Sequence, residues 1–314
     1  MKPLLFDLHS ARGLTDRLAS ALEADVGDLS RRQFPDGESY LRFDTPVGGR
    51  DIILLCTLDR PDAKLAPLLF AAEAAKAQGA RSVGLAAPYL AYMRQDKQFH
   101  PGEAITSKTF ATVLSAAVDW LATIDPHLHR YPTLSALYEI PAIAGSAVGE
   151  LGAWISDNVE QPVIIGPDEE SRQWVDQIAS IARATSVVLR KERSGDYNVA
   201  IDGEALDHLQ RGTPVIVDDI ASSARTLIET VRLLAEHGHK PTTCALVHAI
   251  FAGDSYQRLT EAGVGRVAST NAVSHETNAV DISRPLAEAI RAARATIGAA
   301  SGAGARSPVE NMGD

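Results

Sequence analysis

The sequence predicts an α/β protein of two similar domains, each a mainly parallel sheet flanked by helices. Three observations carry that expectation. Apolar runs of strand length alternate with helix-periodic segments from one end of the chain to the other. Clusters of acids, hydroxyls and histidine stand just past those runs, where parallel sheets place their binding residues. With 314 residues, 45% of them hydrophobic, the chain can fill two cores of ordinary size.

Composition narrows the function classes. A formal charge of −10 argues against an extended nucleic-acid footprint, because phosphate backbones are bound by net basic faces. No apolar run reaches membrane-spanning length, and only Leu4-Leu5-Phe6 precedes the first acid, so neither a membrane segment nor a signal peptide is expected. The expectation is a cytoplasmic protein. Cys56 and Cys244 lie in apolar runs without metal-ligand spacing, which favours buried reduced thiols over a disulfide.

In the first half, Leu14, Leu18 and Leu22 mark a helix over residues 11–22. Next, Pro35 and Gly37 force a turn that projects Phe34, Asp36 and Glu38, a pattern that suits a hairpin tip as well as a binding loop. Strands at 51–57 and 82–88 bracket an alanine-rich helix over 63–77, stopped by Gly79. After the second strand, Tyr89 and Tyr92 interleave with Arg94, Gln95, Asp96 and Lys97. Rings stack, an arginine forks onto phosphate, and an amide reads a donor and an acceptor edge, so this segment suits a purine nucleotide; it also suits a solvated charged loop. Thr106-Ser107 caps a helix through Ala117, and a strand over 120–124 ends in Asp125-Pro126-His127, followed by a second histidine, His129.

The second half repeats the layout after a helix over 145–158. A strand at 163–165 runs into Gly166-Pro167-Asp168-Glu169-Glu170, which opens a helix with Trp174, Val175, Ile178 and Ile181 on one face. A strand at 186–189 precedes a polar loop with Lys191 and Arg193, long enough to close over a charged group. The most informative stretch follows: Val215-Ile216-Val217 meets Asp218 and Asp219, and Ser222, Ser223 and Thr226 then open an amphipathic helix. Amide groups in a helix's first turn lack intrahelical acceptors and sit at the positive end of its dipole, so they hold an anion without basic side chains. The hydroxyls add donors, while the two acids suit ribose hydroxyls or metal-bound water. A strand over 244–250, a helix over 254–262, a short strand near Val267 and a final helix over 285–297 complete the chain. The expected domains are 1–145 and 146–298, with a frayed tail over 299–314.

Taken in order, Phe34-x-Asp36-Gly37-Glu38, Arg94-Gln95-Asp96-Lys97, Asp125-Pro126-His127, Pro167-Asp168, Lys191-x-Arg193 and Asp218 to Thr226 resemble the motifs of the ribose-phosphate pyrophosphokinase family. The resemblance implies two phosphoribosyltransferase-like domains and transfer of a diphosphoryl group from Mg-ATP to O1 of ribose 5-phosphate. It implies ATP contacts at Phe34, Asp36, Glu38, Arg94, Gln95 and Asp96, Mg²⁺ at His127 and Asp168, and catalytic roles for Lys191 and Arg193. It assigns ribose 5-phosphate to Asp218, Asp219, Ser222, Ser223, Ala224, Arg225 and Thr226, and implies a homo-oligomer, dimer or higher. The chain departs from the family pattern at Glu169-Glu170-Ser171, at Ser222 and at Ala224-Arg225. A phosphoribosyltransferase-type enzyme would share the ribose-phosphate stretch but leaves the first-half loops unexplained. A noncatalytic nucleotide-binding regulatory homologue is the other alternative, raised by those departures.

Overall fold

The computed structural model describes residues 1–167, 171–192, 198–200, 209, 212–239 and 241–303. It divides into two compact units, one of Met1–Gly145 with the segment from Ser283 onward, the other Ser146–Ile282.

The first unit holds strands β1 (Leu4–His9), β2 (Asp25–Val26), β3 (Leu29–Gln33), β4 (Ser39–Phe43), β5 (Asp51–Cys56), β6 (Ser82–Ala87), β7 (Trp120–Ile124) and β8 (Ala142–Gly145). Six of them form one sheet in the order β2-β1-β5-β6-β7-β8, every neighbouring pair parallel. β3 and β4 form a separate antiparallel hairpin. Helices α1 (Leu14–Leu22), α2 (Asp62–Ala77) and α3 (Thr106–Ala117) connect the strands. Parallel strands need such crossovers, and because helices cover the sheet the strands read as unbroken apolar runs. Ile52 to Leu55 are accordingly 0% exposed. Gly84 is required where it stands: a Cβ there would lie 1.7 Å from Trp120 Cε2, so only a bare backbone admits the buried indole.

The second unit repeats the plan with helix α4 (Val148–Asn158), β9 (Pro162–Gly166), α5 (Arg172–Ala182), β10 (Thr185–Val188), β11 (Arg190–Glu192), β12 (Asn198–Ala200), β13 (Thr213–Ala221), α6 (Arg225–Glu236), β14 (Thr242–Ala249), α7 (Ser255–Glu261), β15 (Val264–Thr270) and β16 (Asn278–Val280). Its main sheet runs β10-β9-β13-β14-β15-β16, again all parallel, and β11 pairs antiparallel with β12. Both sheets thus have their second strand outside their first, so the chain reverses direction across each sheet between β1 and β5, and between β9 and β13. Ligands of open α/β sheets bind at the carboxyl ends beside such a reversal.

Three features differ from expectation. β13 continues through Asp218 and Asp219 to Ala221, because pairing with β14 persists at Asp218↔Leu246, Ile220↔His248 and Ala221↔Ala249. The last helix, α8 (Ser283–Ala303), belongs to the first unit rather than to a domain spanning 146–298. Its stripe of Leu286, Ile290 and Ala293 is fully buried against α1, β7 and β8, Arg291 donates to the Ala21 carbonyl, and Arg294 Nη2 lies 3.0 Å from Asp51 Oδ2. The helix also covers 299–303 of the stretch expected as tail, while 304–314 lie outside the described residues. Both cysteines are free and buried, and burial pushes the Cys56 thiol up to about 12. No helix among the described residues is long and apolar enough to cross a membrane.

Candidate active site

In the first unit, the β3–β4 hairpin carries the first set of expected residues at its tip. Gly37 takes φ +94, and its N–H donates to the Phe34 carbonyl at 2.9 Å; the Glu38 N–H donates to Asp36 Oδ1 at 3.1 Å. The turn leaves Phe34, Asp36 and Glu38 exposed. The Phe34 ring meets Tyr40 edge-on at 6.2 Å, and the Arg32 guanidinium sits 4.5 Å from one ring and 4.6 Å from the other. A half-exposed aromatic held in this way offers a stacking face beside two carboxylates.

The second set leaves the carboxyl end of β6. Tyr92 turns the backbone at φ +63, with its hydroxyl donating to Asp62 and its ring 4.9 Å from Phe110. Arg94 is exposed, free to meet an anion. Gln95 and Asp96 point elsewhere. Gln95 accepts from Thr106 Oγ1 at 3.1 Å and, through its carbonyl, from the Ser107 N–H. The Asp96 side chain, 3% exposed, accepts on both oxygens from Arg130 Nη1, at 2.7 and 2.8 Å. Arg130 lies in the loop that leaves β7, the neighbour of β6, so this ion pair ties the Arg94 loop to the loop bearing His127. Sequence reasoning passed over Arg130; its only signal was a cation three positions past His127.

His127 is half-buried, and its ring stands edge-on to His129 at 3.9 Å. The turn that delivers it begins at Asp125, φ +36, whose N–H donates to the Gly145 carbonyl. Asp168, Glu169, Glu170 and Arg193 lie outside the described residues, as does the side chain of Lys191, whose backbone belongs to β11. Among the described residues no three His, Cys, Asp or Glu side chains gather as a metal cage.

In the second unit, β13 and α6 build the anion cradle. Asp218 and Asp219 are half-buried near the end of β13, and Asp218 Oδ1 accepts from the Asp219 N–H at 3.0 Å. The chain then crosses Ser222 and Ser223 to Ala224, whose left-handed backbone, φ +54, caps α6. The first intrahelical bond recorded there runs from Ile228 N–H to the Ala224 carbonyl. No side chain caps the end, so the amides of the first turn face outward with Ser223 and Thr226 beside them. α6 is anchored by Leu227, Ile228, Val231 and Leu234; burying each stabilises by about 1.5–3 kcal/mol, which is why the cradle sits on a rigid element. The Ser222 carbonyl accepts from the Ala252 N–H at 3.1 Å and from Ser255 Oγ at 2.8 Å. Ser255 is 2% exposed, a loop anchor that no sequence motif marked. Ala224 adopts the positive φ that glycine takes more readily, and its methyl is packed in the unit's core.

Comparison with known proteins gives the same answer from three directions. Residues 3–117 match the N-terminal domain of ribose phosphate pyrophosphokinase, and residues 133–284 match the phosphoribosyl transferase domain. A ribose-phosphate pyrophosphokinase of Methanopyrus kandleri is 32% identical over 276 residues, covering 87% of this chain and 94% of the relative. That of Methanobrevibacter smithii is 29% identical, covering 90% and 98%. Among solved structures, the phosphoribosylpyrophosphate synthetase of Mycobacterium smegmatis superposes with a TM-score of 0.80 at 26% identity, covering 94% of this chain and all of that one.

Proposed function

The chain belongs to the ribose-phosphate pyrophosphokinase family, and from that premise we propose how its residues divide the work. The enzyme moves the β,γ-diphosphoryl group of Mg-ATP to O1 of ribose 5-phosphate, releasing AMP. Such a transfer asks the protein for in-line positioning and for neutralisation of charge spread over phosphate oxygens, with little covalent chemistry.

The observation that supports the acceptor side is the uncapped start of α6 behind two half-buried acids. The amides there, with Ser222, Ser223 and Thr226, hold the 5-phosphate, Arg225 adds a cation, and Asp218 and Asp219 accept from the ribose hydroxyls. On the nucleotide side Phe34 stacks on the base, Asp36 and Glu38 accept from its amino group or sugar, and Arg94 meets phosphate. Gln95 and Asp96 act by holding the Arg94 loop, since both side chains are engaged within the protein. Lys191 and Arg193 close on the transferring group, where removing one preorganised cation costs on the order of 10²-fold in rate.

The chemistry of the assigned donors fits Mg²⁺: a half-buried imidazole at His127 with the carboxylate of Asp168, which lies outside the described residues, would suit a metal that keeps several waters and phosphate oxygens. When bound, it neutralises triphosphate charge. The enzyme works on small soluble substrates as a homo-oligomer in the cytoplasm. The deciding experiment incubates the protein with Mg-ATP and ribose 5-phosphate and identifies the nucleotide product. AMP with phosphoribosyl diphosphate is expected; ADP, the mark of single phosphoryl transfer, would refute the reading. Ser223→Ala with Thr226→Val should weaken ribose 5-phosphate affinity, and unchanged affinity would remove the cradle from the acceptor site.

A further inference from the structure

Helix α6 places Arg225, Glu229 and Arg232 along one face, at the spacings that bring side chains together on a helix surface. Helical side chains lean toward the helix N-terminus, so Arg232 reaches back over the turn holding Glu229. Arg258 joins them from the last turn of α7. With Ser223 and Thr226 these residues line a cavity of about 540 Å³. None of the three guanidinium groups has an ion-pair or side-chain hydrogen-bond partner among the described residues. Like charges gathered on one wall repel, and one carboxylate, Glu229, offsets only part of that. Arg42 and Arg81, by contrast, are paired, with Asp44 and Asp51 respectively.

Arg232 and Arg258 belong to none of the motifs assigned above. The cavity lies within the range of roughly 300–1,000 Å³ typical of small-molecule sites, far more than a bare phosphate ion fills. Planar guanidinium forks match phosphoryl oxygens two at a time. The geometry points to a second anion pocket, beside the ribose-phosphate cradle, for a phosphorylated small molecule whose phosphoryl group is held by Arg232 and Arg258. Ser223, Arg225 and Thr226 border both sites, which leaves Arg232 and Arg258 as the cations particular to the second. On the reading of the cradle given above, a pocket ligand and ribose 5-phosphate therefore contend for the same hydroxyls and for Arg225, and weaken each other's binding by the same factor.

The test is calorimetric titration of the full chain in metal-free buffer with inorganic phosphate, inorganic pyrophosphate and glucose 6-phosphate, which separates a bare anion, a diphosphate and a phosphate ester as the preferred ligand. Wild type should bind at least one probe, and Arg232→Ala with Arg258→Ala should weaken that binding about tenfold or more while ribose 5-phosphate affinity stays within about twofold. The Arg232→Gln, Arg258→Gln pair gives the same comparison should the alanine pair fold poorly. Probe binding equal in variant and wild type overturns the pocket, as does failure of all three probes to bind wild type. A parallel loss of ribose 5-phosphate affinity would assign both arginines to the acceptor site and overturn a separate pocket. Because the readout is binding alone, absence of phosphoribosyl diphosphate synthesis would count against the catalytic assignment and not against this one.

Discussion

Asp96 and Arg130 allow a sharp test of what holds the nucleotide-side loop. Arg130→Ala strands a carboxylate whose side chain is 3% exposed. Stranding a fully buried charge costs about 3–5 kcal/mol. Arg130 is itself 44% exposed, however, and water reaching the gap lowers the expected cost to roughly 1.5–2 kcal/mol. If the nucleotide depends on the geometry of this loop, that corresponds to about a 10- to 30-fold rise in the apparent KM for ATP. The assay is a double-mutant cycle over Arg130→Ala, Asp96→Asn and the pair, following KM for ATP and the thermal midpoint. Should Asp96 act through Arg130, the double variant costs no more than the worse single, a coupling of about 1 kcal/mol or more. Costs that add to within about 0.3 kcal/mol would refute the reasoning and return Asp96 to a direct nucleotide contact.

Ser255→Ala removes one of two donors to the Ser222 carbonyl and should cost about 1 kcal/mol, lowering the thermal midpoint by about 2–4 °C. KM for ribose 5-phosphate should rise severalfold with kcat nearly unchanged, and Ser255→Thr should restore it; an unmoved KM would leave Ser255 a purely structural contact. Asp51 is held down to about 2, foremost by hydrogen bonding from Arg81 and further by Ser82 and Arg294, while burial opposes the shift. A carboxyl lowered in the folded state stabilises above its ordinary value and loses that contribution as pH falls toward the lowered one. The thermal midpoint should therefore drop as pH falls from about 4 toward 2, and Asp51→Asn should flatten the drop; an identical slope in the variant would place the acid sensitivity elsewhere. Gly84→Ala drives a methyl into the buried Trp120 ring and should cost about 3 kcal/mol, so a midpoint equal to wild type would contradict the packing.

Much of the fold was legible along the chain. Pro35 and Gly37 announced the hairpin tip, and the helix expected through Ala117 is α3, although Thr106 and Ser107, expected as its cap, lie inside it and Ile105 stands at the cap position. The acids and hydroxyls after Val217 announced the helix that opens there, although β13 runs four residues farther than its apolar core and only the structure shows that no side-chain bond caps the helix. What stayed hidden depends on partners. β1 pairs with β5 on one side and β2 on the other, and its six residues, begun by a short apolar run and ending in a histidine, carried no strand signal of their own. The apolar stripe of α8 was visible, but nothing local said that it packs against the first unit.

The sequence by itself determined the local periods, the turns and the order of the phosphate- and nucleotide-type clusters, because each is written within a few neighbouring residues. Tertiary structure alone decided which clusters are braced and by what. The Asp96–Arg130 pair closes over 34 positions and the Ser255–Ser222 bond over 33, contacts created by the adjacency of β6 with β7 and of β13 with β14. Strand adjacency is settled by burial of whole sheet faces, a sum over many distant side chains that no short stretch encodes.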